Sequence, residues 1–68
     1  MYIKKNDVHI ITTVIESLGI DKKTSTDYTD IQKVSDVLMG DGHVELAQYV
    51  MALGPPEFDD FIVNVIYG

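Results

Sequence analysis

Three breaks divide this chain into short apolar segments: Gly19, Gly40-Asp41-Gly42 and Gly54-Pro55-Pro56. None of the segments is long enough to bury its own apolar face, so each must pack against the others. The whole chain has 68 residues, which allows one small domain spanning 1–68. A domain near this length buries only roughly 60% of the surface its unfolded chain exposes. With no cysteine present, disulfides and thiolate zinc sites cannot supply the missing stability. A second subunit is the remaining common support, so a homodimer is one expectation.

Hydrophobic spacing predicts four helices. In the first, from about Asp7 to Leu18, Val8, Ile11, Ile15 and Leu18 share one face. Its run of β-branched residues favours a strand, but strict alternation is missing and Gly19 is a good helix stop. Asp21 to Thr26 reads as a polar loop. The second helix is expected from about Asp30 to Met39, with Ile31, Val34 and Leu38 inward and Val37 at the edge. Thr29 with Gln32 has the capping-box spacing, and Asp27 with Asp30 offers a rival start. The third runs from about His43 to Leu53, with Val44, Ala47, Val50 and Met51 on one face and Leu46 and Leu53 widening it. In the fourth, from about Pro56 to Tyr67, Phe58, Phe61, Ile62, Val65 and Ile66 recur at i, i+3, i+4, i+7 and i+8. The expected fold is thus all-α, a compact bundle of four short helices. The alternative is an α+β fold in which Phe61–Tyr67 is a strand pairing with Met1–Lys5.

Charge is distributed unevenly. Residues 1–33 hold all five lysines (Lys4, Lys5, Lys22, Lys23, Lys33) and five acids. Residues 34–68 hold no basic residue and six acids: Asp36, Asp41, Glu45, Glu57, Asp59 and Asp60. The net charge of −6 therefore belongs to the second half. One-signed charge steers an oppositely charged partner, so these six residues are the candidate contacts for a protein with a basic surface. Acids near helix starts also favour the helix dipole, which accounts for several of them without any partner. A sharper version of the binding reading is mimicry of nucleic acid, with the carboxylates occupying a DNA-binding site.

Several other functions are disfavoured by the residues. An acidic chain lacks the Lys and Arg surplus that binds phosphates, so direct nucleic-acid binding is not expected. The second and third helices have helix-turn-helix spacing, yet the would-be recognition helix carries Glu45 and no cation. An EF-hand register through Gly42 places Val37 and Met39 where acids belong. His9 and His43 fall on different elements, so neither a metal nor any other cofactor is expected. No nucleophile elbow or phosphate loop occurs, which argues against an enzyme. No apolar run reaches the roughly 18 residues of a membrane span, and no targeting segment is convincing, so a soluble cytoplasmic protein is expected.

Two further readings concern particular segments. The fourth segment is apolar over more than one narrow face, so Phe58, Phe61, Ile62 and Val65 are candidates for self-association, against the alternative that they form the core. Lys23-Thr24-Ser25-Thr26-Asp27-Tyr28, with Ile31 after it, is similar to a stretch preceding a helix in a small bacterial family of SAM-like four-helix proteins. That likeness covers about a tenth of the chain, and no function is carried over from it. Taken together, the residues suggest a non-enzymatic acidic regulator or inhibitor that binds a protein, of the kind a phage or mobile element encodes. Nucleic-acid mimicry and a self-assembling structural subunit are the alternatives.

Overall fold

A computed structural model describes residues 4–67. Four α-helices follow one another: α1 Lys5–Ser17, α2 Tyr28–Gly40, α3 Val44–Ala52 and α4 Pro55–Phe61. A 3₁₀ turn, Ile20–Lys22, follows α1, and a π-helical turn, Ile62–Ile66, continues α4. No strand occurs among the described residues, so the α+β alternative fails over Phe61–Tyr67. Of its proposed pairing partner, Met1–Ile3 lie outside the described residues. The radius of gyration of 10.6 Å matches the roughly 11 Å expected for a compact chain of this length.

Local chemistry explains where each helix starts and stops. Asp7 reaches back to the Lys4 N–H, which accounts for a start at Lys5, earlier than Asp7. Gly19 takes φ 72°, the left-handed conformation a residue with a Cβ resists, and the chain turns there into the 3₁₀ turn. Leu18 is exposed by that turn, and Val14 replaces it in the core beside Ile11 and Ile15. At α2 the rival start prevails. Asp27 accepts from the Asp30 N–H at 3.1 Å, and Asp30 accepts from the Asp27 N–H at 3.0 Å. This reciprocal pair satisfies two orphan donors, so the helix begins at Tyr28 instead of Asp30.

The α2–α3 connection is a Schellman turn. His43 N–H donates to the Leu38 carbonyl and Gly42 N–H to the Met39 carbonyl, with Gly42 at φ 85°. The turn is so short that His43 already caps α3, and the two helices form the most extensive packing in the molecule. Ser35 and Ala47, both small and buried, face each other there, and the Ser35 hydroxyl donates to the Ala47 carbonyl at 3.1 Å. Val44 is turned outward and Leu46 takes its expected inward place. Leu53 and Gly54 separate α3 from α4, which opens on two prolines. The Glu57 carboxylate accepts from the Gly54 N–H at 2.7 Å, and Pro55 at the first helical position gives up no hydrogen bond.

All four helices and both turns contribute to one apolar cluster. Phe58, the largest fully buried side chain, brings α4 into it. Phe58→Ala should cost about 3–5 kcal/mol. A chain of this size has only about 3–10 kcal/mol in total. Urea denaturation should therefore show loss of most or all of the folding stability; a loss under about 1 kcal/mol would mean that Phe58 is not central.

Candidate functional site

The six carboxylates of the second half fall into two groups. Asp36, Asp41, Glu45 and Asp60 are exposed. Asp36 lies on the side of α2 opposite Ile31, Val34 and Leu38, and Asp60 lies on the side of α4 opposite Phe58. Asp41 and Glu45 flank the Schellman turn, so they share one end of the α2–α3 hairpin. No hydrogen bond or ion pair within the described residues holds any of these four side chains.

Glu57 and Asp59 are engaged within the fold. Glu57 is exposed, but one of its oxygens is occupied at the start of α4. Asp59 is half-buried, and its Oδ1 accepts from both the Thr26 N–H (3.0 Å) and the Thr26 hydroxyl (2.6 Å). Asp59 thereby ties α4 to the loop before α2, so its role here is structural. Four of the six candidates are exposed and make no side-chain hydrogen bond or ion pair among the described residues.

The lysines do not neutralise them. Among the described residues the one ion pair is Lys23–Asp30, at 2.7 Å, and both partners belong to the first half. Asp30 is buried. Burial alone would push its carboxyl up, but the hydrogen bond from Lys23, the Asp27 N–H and the charges of Lys23 and Lys33 outweigh that and hold it below its ordinary range. The same hydrogen bond raises Lys23 above its ordinary value, against a smaller opposing effect of desolvation. Thr26, Asp27, Asp30 and Lys23 thus form a polar knot at the start of α2, and Asp59 joins it from α4. The Asp27-to-Asp30 spacing is readable in the sequence, whereas the Thr26–Asp59 bond spans 33 residues and leaves no local sign.

The self-association residues are divided by the fold. Phe58 is 0% exposed and Ile62 6%, so neither belongs to any surface. Phe61 is partly buried against the core, and only Val65 is exposed. No three carboxylates or imidazoles among the described residues come close enough to hold a metal ion. No ligand-sized cavity opens among them, and no helix there is long and apolar enough to cross a membrane. Neither a family model, a curated protein nor a solved structure matches the chain.

Two predictions follow from the polar knot. Asp59→Ala leaves the Thr26 donors without their acceptor and should cost about 1–3 kcal/mol in urea denaturation; Asp59→Asn, which keeps an acceptor oxygen, should cost less. For Asp30, a carboxyl lowered by folding stabilises the protein above its unfolded value and loses that contribution as pH falls through its folded value. The stability gap between the wild type and Asp30→Asn should therefore narrow below about pH 4. A gap that stays constant down to pH 2 would contradict this account.

Proposed function

We propose that the protein is a non-enzymatic binding module that docks its second half onto a basic surface of another protein. The observation that supports this reading is the set of four exposed carboxylates, Asp36, Asp41, Glu45 and Asp60, with no partner among the described residues, in a half-chain whose sequence holds no Lys or Arg. Glu57, by contrast, is engaged with the Gly54 N–H. The four unengaged ones are available to lysines and arginines of a partner. Opposite charges across an interface raise the encounter rate and reject like-charged competitors. In this reading the protein acts as a regulator or inhibitor by covering the surface it binds.

The chain as bait should retain a small set of basic proteins from a lysate of the source cell at low salt and release them as salt rises. The quadruple variant Asp36→Asn, Asp41→Asn, Glu45→Gln, Asp60→Asn should bind the captured protein at least about tenfold more weakly. Neutralising Lys4, Lys5 and Lys22 should not weaken it. Equal retention by the quadruple variant would overturn the proposal. Displacement of the captured protein by duplex DNA would mark it as a nucleic-acid-binding target.

A further inference from the structure

Three observations meet at the C-terminal end. First, the chain leaves α-helical geometry after Phe61: residues 62–66 form a π-helical turn, and the Tyr67 N–H donates to the Ile62 carbonyl at 3.2 Å, five residues back. π turns are rare, and an α-helix would close that ring on Val63 instead. Secondly, the Tyr67 hydroxyl donates to the Asp21 carbonyl at 2.6 Å, clasping this end to the 3₁₀ turn. Thirdly, at the same 3₁₀ turn the Asp21 Oδ1 is buried without a hydrogen-bond partner among the described residues.

The geometry points to a two-register switch: we propose that residues 62–67 exchange between the observed π register, latched by Tyr67 on Asp21, and an α register in which the latch is open. The sequence favours the second. Phe58, Phe61, Ile62 and Val65 recur at α-helical spacing, so an uninterrupted helix carries Val65 to the core side and Tyr67 to the opposite side. The π turn does the reverse. It delays the rotation, holds Ile66 against the core and brings Tyr67 to Asp21, while Val65 becomes 41% exposed and Val63 59%. One hydrogen bond and the Ile66 contact favour the latched register. An exposed Val65 and an unsatisfied carboxylate oxygen oppose it. With terms on both sides, the two registers form a pair of states whose ratio one hydrogen bond can shift. The register then decides whether this end displays Val63 and Val65 together or withdraws Val65.

The test is ¹⁵N relaxation dispersion on the full chain, with the carbonyl partner of the Tyr67 amide read by through-hydrogen-bond coupling. Tyr67→Phe removes only the latch hydroxyl from a side chain that is 63% exposed, so the fold should survive. It should raise the ratio of α to π register about fivefold, seen as a change in microsecond-to-millisecond exchange over residues 62–67 and a coupling from residue 67 to the Val63 carbonyl. Adding Val65→Asn, which makes the inward position unfavourable, should restore the Ile62 coupling. A Tyr67→Phe variant that keeps Ile62 as partner and shows no exchange in this segment would overturn the switch.

Discussion

Everything in this fold follows from having to close one small core with four short helices. Phe58 is where that closure is completed. Its side chain is fully buried, and it sits on a helix of only seven residues that opens on two prolines. So short a helix has little stability of its own and is held by what it buries. The neighbouring Asp59 then fixes the rotation of α4 through its two bonds to Thr26. One apolar contact and one polar contact, adjacent in sequence, thus hold α4 against the rest of the chain.

That closure also sorts the charges. Asp59 is half-buried and held by its two bonds from Thr26. Glu57 is engaged because a helix opening after Gly54 has free N–H groups to satisfy. Asp30 is drawn into the knot at the start of α2 and takes Lys23 with it. The carboxylates that face solvent are those on the outer sides of α2, α3 and α4 or at the α2–α3 turn. The anionic exterior is what remains once the fold has taken the acids it needs.

Most of the fold was legible in the spacing of residues. Four helices, their breaks and their principal inward residues could be read because Gly19, Gly42 and Gly54-Pro55 act locally and period-3.6 stripes are strong signals. The departures have physical causes. Leu18 and Val44 belong to the right stripes but lie at helix ends, where the chain turns away. The π turn is hidden because the stripe through Val65 is α-helical, and the Tyr67 bond to Asp21 acts over a separation of 46 residues. For the candidate site, the charge asymmetry was plain in the sequence. Which acids stay free was not, since the Asp59–Thr26 bond exists only in three dimensions. Phe58 and Ile62 were expected either at a contact surface or in the core, and burial assigns them to the core.

We propose that attraction between the exposed carboxylates and a basic surface drives recognition. The most direct measurement is the association rate constant with the captured protein across a range of ionic strength. With charge attraction driving encounter, that rate should fall steeply as salt rises from about 20 to 500 mM, with the dissociation rate changing far less. An association rate independent of salt would contradict it.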